Sequence, residues 1–255
     1  MNIRRGLQLG LAVLISVAAC GGAPQGTDTT DTSQTEPSEP SATSTAQDVM
    51  DIGPFAPLDP GTYFIDPDLD LSTPLRVVYE IPAEGWSQWI GAAKFNDDDG
   101  HVGVSIATVN NLVTDGCHDH SWADPPIGPT VNDLAAALAD LPPFQVTSTP
   151  DDVTIYGYDG KYLARIVPDL PVEGVGDDLR FTGCLGGQLK SWVAPHDTTE
   201  GDAFYGYTGP GYSEEYWILD VEGTRLMIMA GGSPGAPSED LAELSAILDS
   251  IRIEP

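Results

Sequence analysis

Residues 114–122, TDGCHDHSW, combine several side chains that could do chemistry. Cys117, His118 and His120 lie close together, and Asp115 and Asp119 accompany them. A thiolate with imidazoles could bind zinc, a cysteine beside a histidine could act as a nucleophile, and a cysteine alone could form half of a disulfide. The choice among these three depends on the compartment in which the protein works.

The N-terminus has the pattern of an export signal. Arg4 and Arg5 precede an uncharged apolar run, residues 7–19, which is shorter than the about 20 residues that a transmembrane helix needs. The run ends in VAAC, which resembles the bacterial lipobox and implies that residues 1–19 are removed and that Cys20 carries acyl chains such as palmitate. We therefore predict a lipoprotein, anchored in the cell membrane and facing outside the cytoplasm. The alternative is an ordinary signal peptide, cleaved or uncleaved.

Composition divides the rest of the chain. Residues 20–57 are rich in Thr, Ser, Pro and acids, contain no Lys or Arg, and offer little apolar surface to bury. We predict that they form a disordered linker behind the lipid anchor. Residues 58–255 have the size of one globular domain.

The chain is strongly acidic, with 39 Asp and Glu against 10 Lys and Arg and a net charge of −29. Such a surface repels phosphate backbones and anionic lipid headgroups. We predict that the protein does not bind nucleic acid and that it contacts the membrane only through its lipid.

Two cysteines remain once Cys20 is used for lipid. Cys117 and Cys184 lie in a domain that we expect to meet oxidising conditions, which favours a disulfide between them. The bond would close a long loop and stabilise the domain by about 4 kcal/mol in the chain-entropy model. A thiolate metal ligand or a catalytic cysteine would instead need Cys117 to be free.

His118 and His120 could still act without the thiol, because residues two apart in an extended segment point to the same side. Together with Asp119, Asp124, His101 or His196 they could bind zinc. The sequence has neither the spaced ligand pairs of structural zinc sites nor the helical HExxH pattern. We therefore predict no metal and no cofactor, and keep a metal-dependent enzyme that uses the His118/His120 loop as the alternative.

Two further segments partly match known functional motifs, a hydrolase serine motif and a calcium-binding loop, but each lacks a required residue. GGSPG at 231–235 matches G-x-S-x-G. That hydrolase pattern requires a histidine after the serine, and no histidine follows Ser233 in the chain. DPDLDLS at 66–72 has the alternating acids of a calcium loop, but Leu71 and Val77 replace the glycine and glutamate of an EF-hand. Only weak calcium binding by such an acidic turn, or by NDDDG at 96–100, stays open.

The segment FYGYTGPGYSEEYW, residues 204–217, is rich in aromatic side chains mixed with Gly and Pro. Tyr and Trp offer a large contact area with one polar end, as recognition loops do. We predict ligand or partner binding by Tyr205, Tyr207, Tyr212 and Trp217, together with His118 and His120. The alternative is that these aromatics cover the domain's own loop.

The hydrophobic pattern predicts an α+β domain. Strands are expected at 75–81, 89–95, 102–109 and 188–194, and hairpins at 153–167, around Asp159-Gly160, and at 215–230, around Glu222-Gly223. One helix should start at Thr130, with Asp133 completing an N-terminal cap, and stop at Pro142. A second should start at Ser238 and precede a short closing strand at 251–253. The prediction is an antiparallel sheet with at least two packed helices.

Several of these segments also carry a resemblance. GTYFIDP, TPLRVVYEIPAEGW, DGCHDHSW, PTVNDLAAALADLP, EYWILDVEGTRLMI and LSAILDSIRI resemble parts of a group of uncharacterised exported lipoproteins of actinobacteria. That resemblance implies export and no particular activity. The last strand, Gly/Pro-rich loop, helix and short strand resemble the ending of the Mog1/PsbP-like fold.

Taken together, these patterns predict a membrane-anchored extracytoplasmic lipoprotein with a binding or accessory role. A metal-dependent enzyme and a passive acidic surface protein are the alternatives. The sequence does not identify a ligand.

Overall fold

The computed structural model describes residues 46–70, 72–96, 100–174, 179–193, 206–207 and 209–255. Its two α-helices are α1 (Val131–Asp140) and α2 (Ser238–Ser250). Its strands are β1 (Gln47–Asp48), β2 (Pro57–Leu58), β3 (Gly61–Ile65), β4 (Arg76–Ile81), β5 (Trp86–Trp89), β6 (Gly91–Asn96), β7 (Gly100–Thr108), β8 (Asn111–Asp115), β9 (Asp119–Trp122), β10 (Gln145–Ile155), β11 (Tyr158–Ile166), β12 (Val172–Glu173), β13 (Arg180–Phe181), β14 (Trp192–Val193), β15 (Ser213–Val221), β16 (Thr224–Gly232) and β17 (Arg252–Glu254).

An eight-stranded antiparallel sheet forms the centre of the fold, in the order β10-β11-β15-β16-β7-β6-β5-β2. A four-stranded sheet, β1-β3-β4-β17, and a three-stranded one, β14-β8-β9, accompany it. The strands β12 and β13 pair separately. Mostly antiparallel sheets with two helices confirm the predicted α+β class.

Each helix packs on its own part of the fold. Helix α1 contacts β10, β11 and β15, and α2 contacts β7 and β4. The strand register places Arg165, Glu214 and Tyr216 on the sheet face that carries α1, and Ala164, Glu215 and their neighbours on the face that carries α2. The larger hydrophobic core contains residues of the eight-stranded sheet and of both helices, and a smaller core includes Cys117.

The helix signals in the sequence act as predicted. Thr130 Oγ1 accepts from the backbone N–H of Asp133, and the Asp133 carboxylate accepts from the N–H of Thr130. This reciprocal cap satisfies two backbone donors that a helix start otherwise leaves unpaired. Helix α2 begins at Ser238, as predicted. Neither helix of the described chain is long and apolar enough to cross a membrane.

Three sequence predictions need correction. The turn between β10 and β11 lies at Tyr156-Gly157, both with positive φ, whereas Asp159 and Gly160 lie inside β11. The segment 89–95 is divided between two strands, because Gly91 takes a φ of 136° where β5 turns into β6. The linker, predicted to extend to residue 57, gives way to folded structure earlier: β1 pairs with β3, and Val49 is completely buried.

Candidate functional site

The TDGCHDHSW loop is built around a disulfide. Cys117 and Cys184 are bonded, which confirms that prediction and excludes a free thiolate at Cys117. The loop joins β8 to β9 and is also held by the backbone, because the N–H groups of Leu185 and Lys190 donate to the carbonyls of Cys117 and Gly116. The disulfide therefore connects the β8–β9 hairpin to the segment that leads into β14.

Asp115 organises the start of this loop. Its Oδ1 accepts from the backbone N–H groups of Cys117 and His118, each at 2.8 Å. Burial by itself would raise the pKa of the Asp115 carboxyl, but these hydrogen bonds and the His118 side chain hold the pKa below its ordinary value. The carboxylate stabilises the loop and is already occupied by it.

His118 and His120 have different environments. The His118 side chain is 69% exposed and contacts Asp115, whereas His120 is buried and its Nε2 lies 3.0 Å from the Gly116 carbonyl. Since a carbonyl only accepts, Nε2 of His120 carries the proton and cannot bind a metal in this tautomer. Over the described ranges, no group of three His, Cys, Asp or Glu side chains is arranged to hold a metal ion.

The other histidines suggested as zinc ligands lie elsewhere or outside the described residues. His101 lies on β7 and contacts Ser233, and His196 falls outside the described residues. The alternating acids of 66–72 form a turn after β3, and Asp97–Asp99 of NDDDG are not described.

The predicted aromatic binding residues separate into three environments. The Tyr207 hydroxyl points into the interior, and the Tyr212 ring stacks on His101 with centroids 5.2 Å apart. Trp217 is half-buried on the α2 face of the sheet, 5.7 Å from the ring of Tyr162. Tyr205, like the anchor residue Cys20, lies outside the described residues.

A buried arginine that was not predicted from the sequence organises the α1 face. Arg165 is completely buried, and its guanidinium bonds to the Glu214 carboxylate at 2.7 Å. It also donates to the hydroxyls of Ser191, Tyr207 and Tyr216 and to the Leu138 carbonyl, and it stacks on the Phe144 ring at 3.9 Å. The available signal was the single charge within the apolar run YLARIV of β11.

Electrostatics keep this arginine charged. Burial lowers the pKa of Arg165, but the Glu214 carboxylate and the hydroxyls of Tyr207 and Tyr216 raise it more, so that the net pKa lies above its ordinary value. The guanidinium joins β11, β15, α1 and the segment around Tyr207 at one point. Because its N–H groups donate to residues of these elements, Arg165 links them to one another in the interior of the fold.

An open groove lies on the opposite face, between α2 and the sheet; we name it the α2 groove. Its volume is about 340 Å³, and its lining residues are Thr147, Ala164, Arg165, Ile166, Ser213, Glu214, Glu215, Ala230, Gly231, Gly232, Leu241, Leu244, Ser245 and Leu248. Small residues form its floor and leucines of α2 form its wall. Leu241 is 46% exposed at this wall.

The groove exists because α2 is fixed over the other half of the sheet. Lys94 on β6 bonds to Asp240 at 2.6 Å and to Glu243 at 2.9 Å, and Trp86 also donates to Glu243. At the C-terminal end of the helix, the Tyr156 hydroxyl donates to the Leu248 carbonyl. Between these attachments, Ala164, Ala230 and Gly232 are too small to fill the space beneath the helix.

A serine and a histidine meet near one end of the same sheet. Ser233 Oγ lies 3.2 Å from Nδ1 and 3.5 Å from Nε2 of His101, and burial lowers the pKa of that imidazole. No histidine follows Ser233 in the sequence, but antiparallel pairing of β7 and β16 brings His101 to it from upstream. The Ser233 N–H donates to the His101 carbonyl and is therefore not available to an oxyanion.

No family model, curated protein or solved structure matches this chain.

Proposed function

We propose that this protein is a lipid-anchored, extracytoplasmic binding domain whose ligand occupies the α2 groove. The observation that supports this most directly is the open space of about 340 Å³ beneath α2, with Leu241 exposed at its wall. Sites for small molecules occupy about 300–1,000 Å³ and are mostly apolar with a few polar groups. The α2 groove has this character at the lower end of that range.

The lining residues favour a ligand with an apolar body and a cationic or hydrogen-bond-donating group. Leu241, Leu244 and Leu248 offer apolar contacts. Glu215 is exposed at the floor, and its carboxylate accepts from the Tyr162 hydroxyl at 3.1 Å while keeping capacity for another donor. Trp217 lies two residues further along β15 on the same face and could extend the contact.

Charge favours the same class of ligand. Among the described residues that line the groove, Arg165 is the only basic one, and its side chain is buried on the other side of the sheet. With a net charge of −29 on the chain, an anion would meet repulsion as it approaches. A small primary amine with a short alkyl chain is therefore a suitable probe.

The test compares hexylamine, hexanol and hexanoate, which share one alkyl chain and differ in their head group. Methyl chemical shifts of Leu241, Leu244 and Leu248 should move in a saturable way with hexylamine, less with hexanol and least with hexanoate. Glu215→Gln should remove the preference for the amine, whereas Glu222→Gln, an exposed acid in the β15–β16 turn, should keep it.

A second pair of variants separates groove binding from general attraction to an acidic surface. Ala230→Leu should fill the floor of the groove and abolish the chemical-shift changes. Leu241→Ser should weaken these changes, and it provides the test if Ala230→Leu folds poorly. Equal responses to all three compounds, or shifts that survive both variants, would remove the groove from consideration.

The lipid anchor is a separate part of the proposal and is supported by residues 1–20 alone. Cells that express the chain should incorporate a fatty-acid analogue into the wild type and not into Cys20→Ala. Equal labelling of the two proteins would contradict the anchor and leave the groove proposal unaffected.

The finer fold assignment, Mog1/PsbP-like, also stays a proposal. It is supported by the C-terminal order of β16, a Gly/Pro-rich loop, α2 and β17. Fold analogy of this kind does not transfer a ligand or an activity.

A second candidate function is acyl transfer by Ser233, favoured by its contact with His101. A neutral imidazole could take the Ser233 proton as the oxygen bonds to an acyl carbon, and then give that proton to the alcohol or amine that leaves the same carbon. The engaged N–H of Ser233 places this candidate second, because oxyanion stabilisation is a large part of such catalysis.

A fluorophosphonate probe tests the serine directly, since fluoride leaves as Oγ bonds to phosphorus. The enzyme hypothesis expects labelling that is lost in Ser233→Ala and reduced in His101→Gln. It also expects labelling to persist in Ser245→Ala, which changes an exposed serine of α2. If the wild type is not labelled, the enzyme hypothesis is wrong and binding remains the proposed function.

A further inference from the structure

Asp66, the first residue after β3, is a buried carboxyl with an unused oxygen. The residue is 4% exposed, and its Oδ1 has no hydrogen-bond partner within the described part of the chain. A buried acceptor without a partner is destabilising, and more so when it is charged. This oxygen can therefore accept a bond from a group outside the chain.

Two other carboxylates act on Asp66. The Asp68 side chain lies within hydrogen-bonding range of the Asp66 carboxyl, and Asp48 contributes further negative charge. Asp48 comes from β1, which pairs with β3 so that Asp48 is opposite Phe64, two residues before Asp66. Asp66 and Asp68 are therefore close together after β3, and Asp48 acts on Asp66 through its charge from the paired strand.

The surrounding loop holds these acids in place. The Asp68 carboxylate accepts from the N–H of Asp70 at 3.0 Å and from the Thr73 hydroxyl at 3.1 Å. The Thr108 N–H of β7 donates to the Pro67 carbonyl at 2.8 Å. Since Pro67 lies between the two acids, this bond fixes the backbone that brings the carboxyl groups together.

We propose that Asp66 and Asp68 form a calcium site, with Asp48 strengthening it through its charge. Ca²⁺ takes oxygen ligands in flexible geometry, and backbone carbonyls and water can complete the coordination that two carboxylates begin. A cation bound to the unused Asp66 oxygen would offset the repulsion among the acids. This arrangement does not need the glycine and glutamate of an EF-hand, whose absence argued against calcium in the sequence.

The number of carboxylates sets the strength of the site. Within the described residues no three acids are close enough to share one ion, so Asp66 and Asp68 are the direct ligands. Sites with few charged ligands belong to the weak class of extracellular calcium modules, with dissociation constants of about 10⁻⁴–10⁻³ M. The site is independent of the α2 groove and of its ligand.

The experiment measures the thermal midpoint of the full chain in EDTA and in about 5 mM CaCl₂, at equal ionic strength set with NaCl. Calcium should raise the midpoint of the wild type by about 5 °C, as expected for binding at this ratio of concentration to dissociation constant in a domain of this size. MgCl₂ should have a smaller effect, because Mg²⁺ demands stricter octahedral geometry.

The stability difference between Asp66→Asn and the wild type should have opposite signs in EDTA and in calcium. A general charge effect would not produce this reversal. In EDTA this variant should be as stable as the wild type or more stable, because the repulsion is removed. In calcium it should be less stable, because the ligand is lost. The matched control is Asp70→Asn in the same loop, whose exposed carboxylate bonds to Ser72 and should leave the calcium response intact.

A direct measurement keeps the proposal testable if Asp66→Asn does not fold. Equilibrium dialysis with radioactive calcium should find a site that Asp68→Asn removes and Asp70→Asn preserves. Equal calcium responses in all variants would overturn the proposal in favour of general screening. A stabilised Asp66→Asn together with a wild type that ignores calcium would overturn it in favour of a proton held between the two carboxyls.

Discussion

The guanidinium of Arg165 lies 2.7 Å from the carboxylate of Glu214, and both side chains are completely buried. Two charges leave water at once here, which costs several kcal/mol per ion unless the geometry is good and the remaining hydrogen bonds are made. Tyr207, Tyr216 and Ser191 supply those bonds. The pair joins β11 to β15 in the interior of the domain.

Arg165→Met should therefore lower the free energy of unfolding by about 3–5 kcal/mol, because it leaves Glu214 buried without a counter-charge. The matched control is Lys161→Met on the same strand, which breaks a 2.6 Å pair with the 89% exposed Asp152. That surface pair should contribute less than about 1 kcal/mol. Urea unfolding of both variants decides, and a cost within about 1 kcal/mol for Arg165→Met would contradict the argument.

The double variant Arg165→Met/Glu214→Leu separates charge from hydrogen bonding. Replacing both partners by apolar groups should recover part of the stability that the single variant loses. If the double variant is as unstable as the single one, the loss lies in the bonds to the tyrosine and serine hydroxyls instead.

The disulfide supports a second prediction. Cys117 and Cys184 are separated by 67 residues in the sequence, and opening so long a loop should lower the free energy of unfolding by up to about 4 kcal/mol. Reductant should bring the wild type to the stability of the Cys117→Ser/Cys184→Ser variant and leave that variant unchanged. A wild type that reductant does not affect in urea unfolding would argue against this contribution.

Sequence patterns predicted features whose causes are local. The Thr130–Asp133 cap and the Glu222-Gly223 turn depend on a few adjacent residues, and both occur as expected. The pairing of Cys117 with Cys184 followed from counting, since export left one plausible partner for each.

Features that depend on strand register were missed. Arg165 meets Glu214 because β11 and β15 pair in one particular register, which no local pattern specifies. His101 reaches Ser233 in the same way, by pairing of β7 with β16. The α2 groove depends on where Lys94 holds the helix, and that contact spans a large separation in the sequence.

Gly160 was predicted to form a turn, but the structure gives a different reason for a glycine at this position. The Asp159-Gly160 pair suggested a turn, but the turn lies at Tyr156-Gly157, where both residues have positive φ. Gly160 is instead required by the close approach of β15, because an added Cβ would collide with the Ile218 carbonyl. Its function is packing between strands.

Gly160→Ala should therefore lower the free energy of unfolding by about 1–3 kcal/mol, as overpacking does. Gly157→Ala should cost about 1 kcal/mol, since it has open space but a φ of 88°. Gly183→Ala has neither a close neighbour nor a positive φ and should change little. Chemical denaturation of the three variants tests this order, and a harmless Gly160→Ala would contradict the close approach.

His120 makes stability depend on pH. Burial lowers its pKa below the ordinary 6.5, and Lys190 acts in the same direction, while the Gly116 carbonyl, Asp115 and Asp119 oppose them without cancelling the shift. The unfolded chain therefore binds a proton at higher pH than the folded chain does. The stability that neutral His120 contributes is complete above about pH 6.5 and is lost as the pH falls towards the lower folded pKa.

The prediction compares the free energy of unfolding at about pH 7.5 and about pH 5 in the wild type and in His120→Gln. Burial also lowers the pKa of His101, and buried Asp66, whose pKa is raised to about 6, acts in the opposite sense, so the difference between the two proteins isolates His120. The wild type should lose more stability on acidification than His120→Gln, whose amide can still donate to the Gly116 carbonyl. His118→Gln, which changes a side chain that is 69% exposed, should keep the wild-type loss. If His120→Gln loses as much stability as the wild type over this range, the buried imidazole is not the group that responds to pH.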